Sequence, residues 1–413
     1  MADNLIGSEI IQLATEVNKR IAAGEKIYNL TIGDFNPEIF SIPEVLKNNI
    51  INAYNNGMTN YPPANGLPYL RKTVADWLNE SMGLDYTEDE VLVSSGGRPL
   101  IYATYRALID SGDKVVFPTP SWNNNHYCYI NKAEAIMVET DSEKDFMPTA
   151  ELLEDHIKDA TLLALCSPLN PTGTAFSKEN LQAICDMVWE ENQRRDSSQK
   201  PLYIFYDQIY WTLTYGDTVH YNPVQLRPEL RDVTISMDGI SKAMAATGVR
   251  VGWATGPKYI IDKMKAILSH VGSWAPKSEQ YATAEFISDR NALSSYLSEY
   301  KQKIEDRLDA FYNGFQKLKD AGFNVDAIAP QAAMYLTVQF DLKGKQTPDG
   351  DILNNGKEIN QYVLNAAKVA LVPFSSFGAS TDSTWFRLAV GVAKMEDIEP
   401  IINQLHQALS QLK

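Results

Sequence analysis

The sequence predicts an α/β protein, in which a large domain with a mostly parallel, doubly wound sheet is joined to a smaller α+β domain. The first observation behind this prediction is a set of short apolar runs, rich in β-branched residues, that alternate with helical segments between residues 70 and 290. Strands that are apolar on both faces need helices on both sides. The runs are EVLVSS (90–95), DKVVFP (113–118), TLLALC (161–166), PLYIFYD (201–207), VTISM (233–237) and VRVGWA (249–254).

The second observation is a change of pattern after residue 292, which predicts the smaller domain. Residues 293–319 repeat apolar side chains at three- and four-residue steps, and helical packing alone explains such a stripe, so we favour a core role over a ligand site. It is followed by AAMYLTVQF (332–340), a predicted surface loop at 343–358, VALVPF (369–374), TWFRLAV (384–390) and a last helix to Lys413. We expect an N-terminal arm with part of the small domain (1–45), a large domain (46–292) and a small domain (293–413).

The N-terminal 24 residues include a predicted amphipathic helix at 8–24, with Ser8 as its N-cap and Gly24 at its end. They contain no basic segment followed by an apolar run, which a signal peptide would need. The chain also has no apolar stretch close to the roughly 20 residues of a membrane span. We therefore expect a cytoplasmic protein without a membrane partner.

The composition excludes some classes of partner. The formal net charge is −15 over 413 residues, and a chain so acidic is poorly suited to nucleic acid, because phosphates are neutralised by clustered lysine and arginine. Cys128, Cys166 and Cys185 are an odd set without close spacing, and the five histidines are scattered. Neither a disulfide framework nor a metal site is therefore predicted.

Polar and aromatic residues follow several of the predicted strands. In an open α/β sheet the ligand lies at the carboxyl ends of the strands, so these residues are expected to meet at one edge. They are Gly97 and Arg98, Trp122, Asn170, Asp207 with Tyr210, and Lys242. This convergence predicts a single site.

Each of these residues also has an ordinary structural interpretation. The turn before Pro99 could hold an anion at a helix N-terminus, yet most Gly-Gly turns are structural. Asp207 could be a helix cap, and SPLNPTG (167–173) could be a plain turn. Lys242 could extend its ammonium group to the surface, or it could be a desolvated amine with a lowered pKa that forms a Schiff base with a carbonyl.

Two arginines complete the set of candidates. Arg250, eight residues after Lys242, offers a fixed cation to a dianionic phosphate. Arg387 lies inside an apolar run, where it must either pair with an acid or grip a carboxylate ligand. A lysine, an acid, an aromatic plate and a phosphate cradle in one site together fit pyridoxal phosphate best.

These residues stand in motifs that resemble the class I/II aminotransferase family, whose members are pyridoxal-phosphate enzymes of fold type I. SKAMAATGVRVGW (241–253) is similar to the family's S-K-x-x-x-x-x-G-x-R-x-G signature, which implies that Lys242 forms the Schiff base and Arg250 binds the cofactor phosphate. NPTG (170–173) and YDQIY (206–210) resemble the segments that hold the ring. They imply that Asn170 and Tyr210 contact the phenolic oxygen, and that Asp207 pairs with the ring nitrogen.

The resemblance covers nearly the whole chain and implies roles for six further residues. It implies that Trp122 stacks on the ring, that Gly97 and Arg98 form the phosphate loop, and that Gly33 and Arg387 bind the substrate carboxylate. Tyr61, in TNYPPANGLPYLR (59–71), matches a tyrosine that reaches the phosphate in the partner subunit. A homodimer is therefore expected.

The implied activity is transfer of an amino group between an L-amino acid and a 2-oxo acid, with Lys242 moving the α-proton. Two alternatives are a β-eliminating C–S lyase that uses the same cofactor and, more remotely, a non-catalytic ligand-sensing module. Three departures from the family pattern are Gly239, where many relatives have serine or threonine, Phe374, where glycine is usual, and Arg98, where a small or polar residue is usual. Arg98 or Ser241 could compensate for Gly239 at the phosphate.

Overall fold

The computed structural model describes residues 9–122 and 124–413, so the predicted cap Ser8 lies outside the described residues. The helices are α1 (Glu9–Ala22), α2 (Glu44–Asn55), α3 (Pro68–Met82), α4 (Gly97–Leu108), α5 (Asn124–Asn131), α6 (Ala150–Ile157), α7 (Lys178–Arg194), α8 (Pro223–Leu226), α9 (Ile240–Ala243), α10 (Lys258–Val271), α11 (Lys277–Ser288), α12 (Arg290–Asp320), α13 (Gly356–Tyr362) and α14 (Met395–Leu409). The strands are β1 (Tyr28–Asn29), β2 (Val91–Ser94), β3 (Lys114–Thr119), β4 (Glu134–Glu139), β5 (Ala160–Cys166), β6 (Tyr203–Asp207), β7 (Thr234–Gly239), β8 (Gly252–Thr255), β9 (Val325–Ala327), β10 (Tyr335–Phe340), β11 (Val369–Ala370), β12 (Val372–Pro373) and β13 (Trp385–Ala389). No helix in this part of the chain is long and apolar enough to cross a membrane.

The large sheet has the order β2-β8-β7-β6-β5-β3-β4 in the described residues, and its strands are parallel except β8. Helices cover both faces, because successive side chains of a strand point in opposite directions. In β6, for example, Ile204 packs among residues of α6 and α7, whereas Phe205 packs among residues of α4 and α10. This arrangement confirms the predicted doubly wound sheet.

Each of the six predicted runs contains a strand, but the sequence reasoning missed β4. This strand lies at the edge of the sheet, and most of its side chains, including Glu134 and Glu139, are exposed. A half-exposed strand with charged residues gives no apolar run. The run at 249–254 also begins its strand later than predicted, at Gly252, because Arg250 has a φ of 64°, which no strand residue adopts.

The smaller sheet has the order β12-β13-β10-β9 and is antiparallel, while β1 and β11 form a separate parallel pair. The run at 369–374 is therefore divided between two sheets at Leu371. The predicted loop at 343–358 is confirmed as far as Asn355, after which α13 begins.

The 31-residue helix α12 runs between the two sheets. Its first buried apolar residue, Leu293, packs with α3 and α11 of the large domain, whereas Ile304, Phe311 and Phe315 pack with β10 of the small one. Burying each such side chain stabilises the fold by about 1.5–3 kcal/mol. The predicted apolar stripe is therefore core, as expected, and the domain limits of 1–45, 46–292 and 293–413 stay a prediction.

Gly173 joins the two domains at close range. It has a φ of 72°, and a Cβ there would collide with the Tyr335 carbonyl oxygen. Its own carbonyl accepts a hydrogen bond from the backbone N–H of Ala332 at 2.8 Å. The contact requires a residue without a side chain.

We predict that Gly173→Ala lowers the free energy of unfolding by about 1–3 kcal/mol more than Gly344→Ala does. Gly344 is a matched control, since its φ is 81° and a Cβ there would meet no atom within 4 Å. Both variants carry the left-handed backbone cost of about 1–2 kcal/mol, so the difference isolates the collision. Urea unfolding measures it, and equal losses in the two variants would contradict the packing argument.

Candidate active site

A cavity of about 400 Å³ lies between the carboxyl edge of the large sheet and the small domain. The sequence-predicted site residues that line it are Gly33, Gly97, Arg98, Trp122, Asn170, Asp207, Tyr210, Lys242, Arg250 and Arg387. A larger groove of about 760 Å³ lies between α3 and α12, but none of the predicted site residues lines it. The structure therefore brings these predicted residues together around one cavity.

Lys242 lies on the short helix α9, directly after β7, and its side chain is half-buried. Its Nζ donates a hydrogen bond to the carbonyl oxygen of Gly33 at 2.5 Å. Burial lowers the pKa of this amine to about 8; the Asp34 carboxylate opposes the shift, and nearby arginine charges add to it. Of the two interpretations left open by the sequence, the structure favours the desolvated amine.

Arg250 is held by two backbone carbonyls. Its Nη1 donates to the Thr247 oxygen at 2.5 Å, and its Nη2 donates to the Ser95 oxygen at 2.8 Å. A Cβ on Gly96 would collide with this guanidinium group. The first turn of α4 follows, starting at Gly97, and no side chain caps it. Its backbone N–H groups and Arg250 are therefore available to one anion.

Gly239 is a departure from the family pattern that has a physical reason. A Cβ there would lie 2.8 Å from the Gly252 Cα and 2.9 Å from the Val251 oxygen. A Cβ on Gly252 would in turn lie 2.8 Å from the carbonyl carbon of Gly96. The three glycine backbones are packed in a row without room for side chains, while the nearby Ser241 lines the cavity.

Asp207 is the last residue of β6, and its carboxyl accepts a hydrogen bond from the backbone N–H of Ile209 at 3.1 Å. It therefore caps a turn and not a helix. Burial raises its pKa to about 7, and it has no ion pair with a cation among the described residues. A protonated ring nitrogen in the cavity would provide the cation that this carboxyl lacks.

Arg387 is only 1% exposed and has no carboxylate partner in the described chain. Its Nη1 donates to the Asn170 side-chain oxygen at 2.9 Å, and its Nη2 donates to the Thr31 carbonyl at 2.7 Å. Its Nε has no partner. Of the two alternatives drawn from the sequence, pairing with an acid of the protein does not occur among the described residues. The positive charge of Arg387 therefore remains available to a carboxylate ligand.

Aromatic side chains form part of the cavity wall. The Arg98 guanidinium lies 5.4 Å from the centre of the Trp122 ring. The Tyr210 hydroxyl is 2.6 Å from the Tyr335 hydroxyl. Phe374, the second departure, is fully buried against Phe146 at 5.0 Å and does not line the cavity. Its side chain therefore contributes to the core and not to the lining of the cavity.

The sequence reasoning missed some lining residues. Asp34, Thr247 and Tyr335 all face the cavity. Asp34 stands beside Gly33 in LTIGDF, and an acid in an apolar segment was the signal that could have revealed it. Tyr335 and Thr247 carry no such signal, because their positions depend on the packing of distant segments.

Tyr61 does not line the cavity of its own chain. Its side chain is 81% exposed, and its ring lies 5.3 Å from that of Trp274. Both residues border a surface groove of about 720 Å³.

The fold and the site together define a pyridoxal-phosphate-dependent enzyme of fold type I. Comparison with known proteins places it further: the chain belongs to the aminotransferase class I and II family, whose model matches residues 25–405. Its fold, its cofactor and its activity as an aminotransferase of amino acids and 2-oxo acids are thereby confirmed. The roles of individual residues stay predictions.

Several relatives cover almost the full chain. A probable aspartate/prephenate aminotransferase of Rhizobium leguminosarum bv. phaseoli is 29% identical over 97% of this chain and 95% of its own length. The aspartate aminotransferase of Geobacillus stearothermophilus is 29% identical over 98% of this chain and 96% of its own length. The crystal structure of the Rhizobium meliloti aspartate aminotransferase matches with a TM-score of 0.91 and 26% identity, covering 99% of this chain and 98% of that one.

We predict that Asp207→Asn stabilises the cofactor-free protein at pH 8. The folded pKa of about 7 lies above the ordinary value of 3.8, so the wild-type carboxyl favours the fold fully below pH 3.8 and loses this contribution as the pH rises through 7. The stability gap should therefore be largest at pH 8 and should close towards pH 4. Urea unfolding at several pH values tests this, and a gap independent of pH would contradict it.

Proposed function

We propose that Lys242 is the catalytic residue of this aminotransferase and that the other lining residues hold the cofactor and the substrate around it. One observation carries the proposal: a half-buried amine of lowered pKa lies in a cavity that also presents an anion cradle, an acid without a cation and an arginine without a carboxylate. When bound, pyridoxal phosphate supplies an aldehyde that takes up the amino group and a ring that accepts the electron pair of the substrate α-carbon.

The phosphate of the cofactor would be held by the backbone at Gly97, by Arg250 and by Arg98. Support comes from the uncapped first turn of α4 and from the fixed Arg250 guanidinium beside it. Trp122 would provide the stacking face. The Trp122 ring lines the cavity, and the Arg98 guanidinium group lies 5.4 Å from the centre of this ring.

The ring of the cofactor would be held by Asp207 at its nitrogen and by Asn170 and Tyr210 at its phenolic oxygen. The Asn170 side-chain oxygen is already bonded to Arg387, so its amide N–H groups remain to donate. Burial raises the pKa of Tyr210 well above its ordinary value, which keeps its hydroxyl protonated. A protonated hydroxyl can donate a hydrogen bond to an oxygen.

The carboxylate of the substrate would bind Arg387, with Gly33 as the adjoining wall. A Cβ on Gly33 would lie 2.9 Å from the Tyr335 hydroxyl and 3.7 Å from Arg387 Nη1. A side chain at residue 33 would therefore occupy the space in front of the guanidinium group. A bidentate grip there fixes the orientation of the α-carbon towards Lys242.

Lys242 would move the α-proton. An amine with a pKa of about 8 is partly neutral near pH 8, and a neutral Nζ can accept a proton and return it. Its hydrogen bond to the Gly33 carbonyl keeps Nζ at the edge where Arg387 orients the substrate. Acceptance and return by one atom confine the proton to one face of the substrate.

We predict that Lys242→Ala abolishes the absorbance band of the lysine-bound cofactor and lowers turnover by a factor on the order of 10³ or more, since positioned proton transfer and the covalent link are both lost. Lys301→Ala is the matched control: that lysine is also half-buried with a pKa lowered by burial, but it lies on α12 outside the cavity. Wild-type transamination by Lys242→Ala would disprove the assignment.

A single turnover of the wild-type enzyme distinguishes transamination from β-elimination when the donor carries a β-leaving group. Cysteine should yield its 2-oxo acid and the aminated cofactor in equal amounts by transamination, whereas β-elimination would consume one water and yield pyruvate, ammonia and hydrogen sulfide. Aspartate, which has no such leaving group, is the first donor to test for transamination itself, because the relatives described above are named for it.

We further propose that the enzyme is a homodimer in which Tyr61 reaches the phosphate in the partner subunit. The support is its exposure, its absence from the cavity of its own chain and its place beside the groove with Trp274. The expected cytoplasmic location and the absence of membrane and nucleic-acid partners stay predictions.

We predict that mixed dimers of Tyr61→Ala and Lys242→Ala chains recover activity that neither parent has. In a mixed dimer, the Lys242 of the first chain would meet the intact Tyr61 of the second, so one of the two sites is complete. Differently tagged chains, co-expressed and purified through both tags, allow the measurement. If Tyr61 acted within its own chain, the mixed dimer would contain no complete site and would stay inactive.

A further inference from the structure

The loop that carries Gly33 also places an acid in the cavity. Asp34 Oδ1 accepts a hydrogen bond from the Thr247 hydroxyl at 2.7 Å and another from the backbone N–H of Phe35 at 2.8 Å. Thr247 lies five residues after Lys242, so the carboxylate is tied to the segment that carries the lysine. Both residues line the same cavity as the Lys242 amine.

The backbone of Asp34 is fixed from the small domain as well. The Gly391 carbonyl accepts a hydrogen bond from the backbone N–H of Asn36 at 2.9 Å. A Cβ on Gly391 would collide with the Asp34 carbonyl oxygen. The carboxylate is therefore held by Thr247 on one side and by close backbone packing on the other, which is more constraint than a solvated loop acid has.

The charges around Lys242 give this carboxylate a task. Three cations in the cavity, Arg98, Arg250 and Arg387, disfavour a proton on the amine, and Asp34 favours it. Asp207 is the other carboxylate of the cavity among the described residues, and the proposed function assigns it to the ring nitrogen. Burial raises the pKa of the remaining titratable groups that line the cavity, which keeps them uncharged near neutral pH: Cys166, Tyr210 and Tyr335.

We propose that Asp34 is a positioning residue: held by Thr247 and by the backbone packing against Gly391, it anchors the Gly33 carbonyl beside the Lys242 amine and places a negative charge among the three arginines of the cavity. This inference rests on the role of Lys242 proposed above and deepens it. Without the carboxylate, the arginines would dominate the local field, and the amine would hold its proton only at lower pH. Such an amine would be a weaker base for the α-proton.

The test uses Asp34→Asn, whose amide oxygen can still accept the bonds from Thr247 and Phe35 but carries no charge. The absorbance titration of the cofactor-loaded enzyme without substrate reports the proton on the Lys242 nitrogen. We expect its midpoint to move to lower pH by about one unit, which is a tenfold weaker proton affinity. The acid limb of the kcat/KM profile should move in the same direction.

A second readout does not depend on the loaded enzyme. In the cofactor-free protein, acetic anhydride modifies only the unprotonated Lys242 amine, and peptide mass spectrometry measures the rate. As the pH is raised, this rate should begin to increase at a lower pH in Asp34→Asn than in the wild type. Asp34→Glu keeps the charge and should titrate near the wild-type pH. If Asp34→Asn does not fold, Asp34→Ser provides the neutral variant for the same two measurements.

Two controls isolate the charge. Asp349→Asn removes an exposed loop carboxylate and should leave the midpoint unchanged. Thr247→Val removes only the hydroxyl and should shift the midpoint less than Asp34→Asn does. The inference is overturned if the Lys242 nitrogen titrates at the wild-type pH in a variant with a neutral residue at position 34. It is also overturned if either control shifts the midpoint as much as Asp34→Asn does.

Failure of this inference is distinguishable from failure of the proposed function. An enzyme that needs Lys242 for turnover, but titrates normally without Asp34, keeps its proposed function and loses the inference. An enzyme that transaminates at the wild-type rate without Lys242 loses both.

Discussion

Close packing of three glycine backbones, Gly96, Gly239 and Gly252, is the constraint on which the site depends. Their contact brings the end of β7 against β8 and brings both against the start of α4. As a result, the helix that carries Lys242, the loop that carries Arg250 and the first turn of α4 lie around one cavity. A side chain at Gly239 or Gly252 would press these backbones apart, because protein interiors leave no voids that could absorb it, and a side chain at Gly96 would displace the Arg250 guanidinium. The absence of a side chain at residue 239 is thus part of the geometry of the cavity.

The charge distribution of the protein is unequal between surface and cavity. The chain as a whole carries a formal charge of −15, yet the lining contains Arg98, Lys242, Arg250 and Arg387 with Asp34 and Asp207 opposing them. The cationic lining attracts small anions at short range although the net charge of the chain is negative, and amino acid substrates and the cofactor all carry anionic groups. The negative net charge and the binding of small anionic ligands are therefore compatible.

Much of the fold and of the site could be predicted from the sequence, for reasons that differ between elements. Strands covered on both faces leave continuous apolar runs, which is why β5 and β6 were found, whereas the edge strand β4 has exposed glutamates and was missed. Residues that end central strands, such as Asp207, could be placed because the carboxyl ends of parallel strands share an edge. Tyr335 could not be placed, because its position in the cavity depends on how β10 packs against distant segments, and Asp34 offered only the signal of an acid in an apolar segment. The left-handed conformation of Arg250 likewise follows from its contacts with Thr247 and Ser95 and not from its residue type.

Helix α12 connects the two domains to each other and to the backbone of Lys242. At 1.5 Å per residue its 31 residues are about 46 Å long, and Leu293 packs in the large domain while Phe311 and Phe315 pack in the small one. Between these two regions, the hydroxyl of Tyr300 donates to the carbonyl of Lys242 at 2.8 Å. The helix thus packs in both domains and is hydrogen-bonded to the backbone of Lys242 between them. Any change in the relative placement of the two domains would therefore be transmitted through α12 to the residue that carries the cavity's amine.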